Sequence, residues 1–486
     1  MTDLREGPSL LDRRVHEEDA EWQEQLLLAH DISTAITVAG GRALVVGGYV
    51  RDEVLSRMGR PVVPKDIDIE VYGLDYPRLK EVLQAFGRVD EVGAQFGILK
   101  VQDLDVSMPR RDSKVGMGHR GIQVTGDPTM SIPEAARRRD FTINSLCMDP
   151  ITGEVFDYYG GIDDLRIRLV RATDKELFQD DPLRALRAVQ FASRFDFSIE
   201  SETMEICRRM PIEEVTRERV GDEWRKMLLK SERPSIGLEL ARDLGILEKL
   251  HPDLHAISGI EQDPGWHPEG SVWIHTLMVV DEAVKIADRE GLQDEDRLVL
   301  ILAAITHDLG KATTTVRRED GRVVSLGHTG AGVDPARRFL MSIDIPMRAV
   351  ERILPLVEEH LFPTLNKQPS DSSVRRLAVR LHPATIRELT WVAEADHRGR
   401  AIPYDGFPQG RYLLEKAETL EVKLSKPQEL LKGHGDELIE QGMVPGPQFG
   451  AVLRQVYDLQ LAGEISTIEQ AQAKALELWN ACEQGS

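Results

Sequence analysis

Between Asp66 and Val71 the chain alternates strictly: Ile67, Ile69 and Val71 interleave with Asp66, Asp68 and Glu70. A period of two predicts a β-strand with one apolar and one acidic face. Like charges two residues apart on one face repel, so a strand with nothing to bind has no reason to keep Asp66 beside Asp68. Upstream, Leu26, Leu27, Ala29 and Ile32 recur near helical spacing and predict a helix from Glu18 to about Val38. Ala43–Val46 reads as a short buried strand broken by Gly47–Gly48, and Tyr49–Gly59 as the helix after it. Beyond the acidic strand, Tyr76–Gly87 predicts another helix and Phe96–Arg110 a pair of strands, completing a small α/β unit.

Residues 109–136 contain Gly, Pro and Arg without clear periodicity, a connection long enough to expect a functional loop. From about Asp174 to Lys230 the pattern is helical and rich in arginine. From Ile236 to about Ala401 helices continue and carry most of the histidines. The break "AIPYDGFPQG" precedes a last helical segment, and there is no internal repeat or low-complexity tract.

The length, 486 residues, implies three or four domains at about 150 residues each. No run approaches the ~18 apolar residues that span a bilayer, and the acidic start "MTDLREGPSLLDRRVHEEDAEWQ" has no signal-peptide core. A cytoplasmic protein with no membrane partner is expected. Cys147, Cys207 and Cys482 form no CxxC pair, which argues against a disulfide framework and a structural zinc site. The net charge of −21 by itself argues against nucleic acid as a partner. A local basic surface can still grip phosphates, and Arg137, Arg138, Arg139, Arg184, Arg187, Arg194, Arg208 and Arg209 supply the charge for one.

Gly47–Gly48 after a buried strand lets backbone N–H groups approach a phosphate, with a helix N-terminus behind them and Arg51 and Asp52 in its first turns. A diglycine alone is equally a tight turn, and Asp-x-Asp alone a solvated edge strand. Strand–GG–helix–strand–DxD within about twenty-five residues is far more specific. Asp105, in "LDVSMPRRD", is the candidate third acid, or else a surface strand residue. Three acids can hold two Mg²⁺ ions that bridge a nucleoside triphosphate and activate an attacking hydroxyl. In "RRRDFTINSL" the arginines form either a solvated patch or a bidentate phosphate grip, with Asp140 able to accept from a ribose hydroxyl. In "FQDDPLRALRAVQFASRF", Asp181 precedes Pro182 at a helix start and shares a face with Arg184 and Arg187. That face is an ordinary cap with an ion pair, or an acceptor and donors for the edge of a base.

The ordered motifs GGYVRD, DIDIE, RRDFTIN, DDPLRALRAVQF and TRERVGDEWRKML resemble the class II tRNA nucleotidyltransferase/poly(A) polymerase family over residues 43–229. The resemblance implies an α+β fold: a polymerase-beta-like α/β head followed by mostly helical neck, HD and tail domains. Its divisions fall at 1–150, 151–232, 233–402 and 403–486. It makes Asp66 and Asp68 catalytic metal-binding carboxylates with Asp105 as the third, and puts Arg139 and Asp140 at the triphosphate and ribose. Gly47, Gly48, Arg51, Asp52 and Arg187 complete the expected nucleotide site. Asp181 and Arg184 match the protein template that pairs with CTP and ATP, although the family motif opens Glu–Asp where this chain has Asp180–Asp181. Glu70 has no counterpart in the motif and is expected to be a surface residue.

His275, the His307–Asp308 pair and Asp396, with His328 and His360, are similar to the HD-domain metal phosphohydrolases over residues 266–400. A divalent transition metal is implied there, with phosphodiesterase or phosphatase activity. His267 and His397 read as bystanders. Pro445–Gly446–Pro447 entering a helix resembles the family's tRNA-binding tail. The whole implies transfer of CMP and/or AMP from CTP and ATP to the 3′ end of tRNA. Alternatives are a poly(A) polymerase or A-only enzyme, an HD phosphohydrolase with an inactive head, and a non-catalytic tRNA-binding protein. No basic "GRRF"-like segment follows the DxD strand, and the length of 109–136 suits an enzyme adding all of CCA. The oligomeric state is not indicated.

Overall fold

The computed structural model describes residues 4–7, 10, 20–60, 62, 66–92, 98–114, 122–404 and 406–484. They form two compact units, one of residues 1–216 with 244–246, the other of residues 217–243 with 247–486.

The first unit is built on α1 (Ala20–Val38), β1 (Arg42–Val46), α2 (Gly48–Arg57), β2 (Asp68–Tyr72) and α3 (Tyr76–Leu83). It continues with β3 (Val89–Val92), β4 (Ile98–Val101), β5 (Leu104–Ser107), β6 (Arg110–Lys114), β7 (Ile122–Gly126) and α4 (Ile132–Arg137). After β8 (Cys147–Met148), β9 (Val155–Phe156) and α5 (Gly161–Arg166) come α6 (Leu183–Phe195) and α7 (Ser201–Arg209). Seven strands make one sheet in the order β3-β4-β5-β2-β1-β8-β9. Ala43 to Val46 of β1 are all buried, and α1 turns Leu26, Ala29, Ile32 and Ile36 inward, one residue per helical turn. Asp75 caps α3 by accepting from the Arg78 N–H at 2.9 Å.

Residues 109–136 are not the loop expected. They carry the antiparallel pair β6–β7, with Arg110 opposite Gly126 and Lys114 opposite Ile122, and then α4, capped by Ser131. The first of these strands, "RRDSK", has no apolar alternation to announce it. The expected loop also includes 115–121, outside the described residues, as are Glu18 at the start of the first predicted helix and Pro64–Lys65 before the acidic strand.

The second unit is helical apart from a small hairpin, Thr315–Arg317 with Val323–Ser325. Trp224, Trp273 and Phe339 are among its most deeply buried side chains. The edge of Trp224 donates to His251 Nε2 at 3.0 Å, and His251 Nδ1 meets Ser342 Oγ at 2.8 Å. Since Nε2 must accept, the imidazole is neutral, and burial pushes its pKa down to about 3. Toward the C-terminus, Leu438, Val452, Val456, Ala471, Ala475 and Trp479 form a separate apolar cluster. Among the described residues no helix is long and apolar enough to cross a membrane. All three cysteines are free.

Candidate functional site

The acidic strand sits at the centre of the sheet. β2 runs antiparallel to β1, with Val46 opposite Asp68, and parallel to β5, with Asp68 opposite Asp105 and Ile69 opposite Val106. Neighbours in register share a face, so Asp105 joins Asp68; Asp66 lies just ahead of the strand, close enough for its charge to act on Asp68. Ile67, Ile69, Leu104 and Val106 are buried, whereas the three carboxylates are exposed. Partial desolvation, then the charges of Asp105 and Asp66, raise the Asp68 carboxyl above its ordinary value.

β1 ends beside this group and the chain turns at Gly47, whose φ of 72° and ψ of −130° favour glycine. A Cβ at Gly47 would stand 3.9 Å from Asp68 Oδ2, so the diglycine turn lies against the carboxylates. Gly48 opens α2. Arg51 and Asp52, expected at the nucleotide, are instead turned inward. Arg51 donates to Asp52 Oδ1 at 2.8 Å and Asn144 Oδ1 at 2.7 Å, with the rings of Phe191 and Phe195 at 5.2 and 4.7 Å. Ring faces and a carboxylate can hold a guanidinium that water does not reach, and these tie α2 to α6.

Glu70 is not a surface residue. Its side chain is 13% exposed, accepts from the Tyr72 hydroxyl, and pairs with Arg139 Nη2 at 3.1 Å. An arginine this deep needs a counter-charge, and Glu70, on the face of Asp68, supplies it. Burial opposes the charge on Arg139, and Glu70 together with Cys147, Tyr72 and Asp68 more than offsets that, raising its pKa.

Asp140 accepts from the Phe141 N–H at 2.8 Å, Asn144 Nδ2 at 3.0 Å and Arg187 Nε at 2.7 Å. Burial would raise its pKa, but Arg187 and these bonds hold it below the ordinary range. Asn144 thus links Arg51 to Asp140, and Asp140 links on to α6. It is a residue that sequence reasoning passed over inside RRDFTIN. At the head of α6, Asp181 Oδ1 accepts from the Leu183 N–H at 3.1 Å. Arg184 donates to the Leu177 and Arg138 carbonyls, both at 2.8 Å, and desolvation lowers its pKa.

The second unit brings all six predicted metal ligands together. His275 lies on the helix Val272–Glu290, His307 and Asp308 at the end of Asp294–Thr306, and His328 opens His328–Ala331. His360 ends Met347–Glu359 and Asp396 lies on Ile386–Arg398. His307, His328 and His360 each place Nδ1 2.7–2.8 Å from the carbonyl three residues back, those of Ala304, Ser325 and Val357. The proton is therefore on Nδ1 and the lone pair on Nε2. Those lone pairs face Asp308: His307 Nε2 is 3.1 Å from Oδ2, and His328 Nε2 and His360 Nε2 are 3.3 and 4.0 Å from Oδ1. His275 Nε2 is 3.0 Å from Asp396 Oδ1 and 3.8 Å from Asp308 Oδ2.

Buried lone pairs confronting a carboxylate suit a cation and little else. His307 Nε2, His328 Nε2 and Asp308 Oδ1 have no hydrogen-bond partner among the described residues. The residues fit a divalent metal of the imidazole-and-carboxylate class. They form two ligand groups, His275–His307–Asp308 and Asp308–His328–His360, with Asp308 common to both. Burial pushes His360 down to about 3, which keeps it neutral, whereas Asp396 and Glu269 outweigh burial at His275 and raise it to about 9.

Three contributors were missed. Glu269 Oε1 lies 2.9 Å from His275 Nδ1 and 2.8 Å from His267 Nδ1, with only 1% of its side chain exposed. His267 is therefore part of the assembly rather than a bystander, and "HPEG" was its only signal. Lys311 Nζ lies 2.7 Å from Asp308 Oδ2 and donates to Gln262 Oε1 at 2.7 Å. His397 packs apart from the cluster, its ring against those of Tyr404 and Phe407.

Three family models match the chain: "Poly A polymerase head domain" over residues 43–171, "Probable RNA and SrmB- binding site of polymerase A" over 196–258, and "HD domain" over 272–401. A multifunctional CCA protein of Xanthomonas campestris pv. campestris is 34% identical over 380 residues, 75% of this chain and 87% of that protein. One from Pasteurella multocida is 33% identical over 382 residues, 76% of this chain and 85% of that protein. The crystal structure of a Bacillus stearothermophilus CCA-adding enzyme in complex with CTP superposes with a TM-score of 0.62 at 20% identity, covering 95% of this chain and 99% of that one. It shares the α+β fold.

Proposed function

Because this chain belongs to the multifunctional CCA protein family, we propose that it adds CMP and AMP, without a template strand, to the 3′ end of tRNA, with CTP and ATP as donors. The observation that carries the reading is the register of β2 and β5, which sets Asp68 and Asp105 side by side. Asp66, Asp68 and Asp105 would hold Mg²⁺, which when bound neutralises the triphosphate and favours the ionised 3′-hydroxyl as nucleophile. The diglycine turn gives the phosphates a close approach to backbone beside the acids. Arg139, steadied by Glu70, directs positive charge toward the same end of the sheet. Asp140 is held ionised by Arg187 and is ready to accept from a ribose hydroxyl. Asp181 and Arg184 face the base with an acceptor and with N–H donors beyond those bound to backbone. Catalysis is then by positioning and electrostatics, with no covalent intermediate on the protein.

In this reading residues 1–150 are the head, 151–232 the neck, 233–402 the HD domain and 403–486 a tRNA-binding tail, in a cytoplasmic enzyme. The HD cluster is a phosphohydrolase site. Its six ligands would hold one or two transition-metal ions, which supply an activated water when bound. His267 and Glu269 fix the His275 ring, and Lys311 balances the Asp308 charge.

The test offers the full-length protein tRNA ending at the discriminator base, at C, or at CC, with labelled CTP or ATP and Mg²⁺. Completion to CCA from all three is expected. A long A tail, addition of A alone, or no addition overturns the proposal.

A further inference from the structure

Asn144 ends the short 3₁₀ turn Thr142–Asn144 and is buried. The turn does not depend on its side chain. Its own N–H bonds the Phe141 carbonyl at 2.9 Å. The Phe141 ring, fully buried, packs edge-on against Phe178 and Phe191 with centroids 5.5 and 5.6 Å away. The amide of Asn144 is oriented from both sides. A guanidinium only donates, so Oδ1 must face Arg51 Nη1 at 2.7 Å. An ionised carboxylate only accepts, so Nδ2 must face Asp140 Oδ1 at 3.0 Å. Arg51 cannot yield, because it is itself buried and bonded to Asp52 at 2.8 Å.

What this amide does to Asp140 follows from counting acceptors. The two oxygens of a carboxylate offer about four acceptor positions. Oδ1 takes the Phe141 N–H at 2.8 Å and Asn144 Nδ2, while Oδ2 takes Arg187 Nε at 2.7 Å. Among the described residues that leaves one position, and it is on Oδ2. The Phe141 N–H belongs to the next residue in the chain, and the Arg187 side chain is 32% exposed. Asn144 is therefore the rigid partner that stops the carboxylate from turning.

We propose that Asn144 is a positioning residue for sugar selection: by occupying Oδ1 it leaves Asp140 a single acceptor, on Oδ2, for the 2′-hydroxyl of the incoming nucleotide. It thereby sets the preference for ribo- over deoxyribonucleoside triphosphates without touching the nucleotide. With the Asn144 donor gone, Oδ1 regains an open position, the carboxylate turns, and the hydroxyl no longer meets one fixed acceptor. The inference rests on the reading of Asp140 as the ribose acceptor.

Asn144→Asp keeps the shape and an acceptor for Arg51 but puts an oxygen where Asp140 needs a donor, whereas Asn144→Ala removes both bonds. Full-length wild type, N144D, N144A and Asp140→Ala are compared in the first addition to tRNA ending at the discriminator base, with CTP or 2′-deoxyCTP and Mg²⁺. The readout is the ratio of kcat/KM for the two nucleotides. It is taken within one preparation, so a loss of folded protein cancels. A hydrogen bond from the hydroxyl to a charged acceptor predicts a wild-type preference for CTP of about 10- to 150-fold. That preference should fall about tenfold in N144D and in N144A, and vanish in D140A. If D140A loses the preference while N144D or N144A keeps the wild-type ratio, the proposal is overturned and the reading of Asp140 stands. If wild type takes both sugars equally, or D140A still prefers CTP, the reading of Asp140 fails and the proposal fails with it.

Discussion

Glu70 offers a direct measure of how the head is held together. Glu70→Gln keeps the shape and an acceptor oxygen but removes the charge opposite Arg139 Nη2 at 3.1 Å. The two side chains are 16% and 13% exposed, so water compensates little. A hydrogen bond to a charged group contributes about 1.5–3 kcal/mol, and breaking a fully buried ion pair costs about 3–5 kcal/mol. With slight exposure on both sides the lower range applies, and E70Q should destabilise the head by about 2–3 kcal/mol. Arg139 also faces Asp68, whose charge is among those that favour its ionised form. Released from Glu70, it would turn toward Asp68 and compete there with a divalent cation. E70Q should therefore need more Mg²⁺ for half-maximal CMP addition. A double-mutant cycle with Arg139→Gln, read by hydrogen exchange in peptides of β2 and of residues 138–148, isolates the pair. A coupling energy of at least about 1.5 kcal/mol is expected. A coupling below about 0.5 kcal/mol, typical of independent sites, with an unchanged Mg²⁺ requirement, would refute the reasoning.

Asp68→Asn removes a charge next to Asp105 and should abolish CMP and AMP addition in a primer-extension assay while hydrogen exchange in β1 and β5 stays near wild type. Gly47→Ala forces a Cβ into a φ of 72°; addition should slow, at a cost of about 1–2 kcal/mol. His251 is depressed to about 3 in the folded chain against an ordinary 6.5, so the unfolded chain binds the extra proton. The stability it contributes is present above pH 6.5 and is lost as pH falls toward 3, by about 2 kcal/mol between pH 7 and 5. The penalty of His251→Gln, from hydrogen exchange near Trp224, should shrink by that amount over the same range; a constant penalty contradicts it. Asp308→Asn removes the carboxylate common to both ligand groups, and elemental analysis after dialysis should find its transition-metal content reduced to background.

Much of the site was legible because its chemistry is local. Asp66 and Asp68 announce themselves by parity, Gly47–Gly48 by the strand it interrupts, and His307–Asp308 by sitting on an otherwise apolar helix. What stayed hidden depends on partners far along the chain. Glu70 reads as solvated until Arg139, sixty-nine residues later, folds against it. Arg51 reads as a phosphate ligand until the aromatic face of α6 closes over it. Glu269 and Gln262 lie in a turn without periodicity, and their roles exist only through helices that arrive afterwards. The β6–β7 pair was missed because its first strand is polar throughout.

The pairing of β2 with β5 makes the head sensitive to counting. Asp105 stands beside Asp68 because the chain spends an odd or even number of residues, not merely enough of them, between the turn at Gln102 and the end of the strand. Deleting one residue there would leave a strand that still pairs but shows Val106 where the acid belongs and buries a carboxylate in the core. Deleting two would restore the apolar and polar faces but bring Ser107, not Asp105, opposite Asp68. Length variation in this segment should therefore spare the fold in steps of two while removing the third acid from the site in either case, a distinction that point substitutions would not reveal.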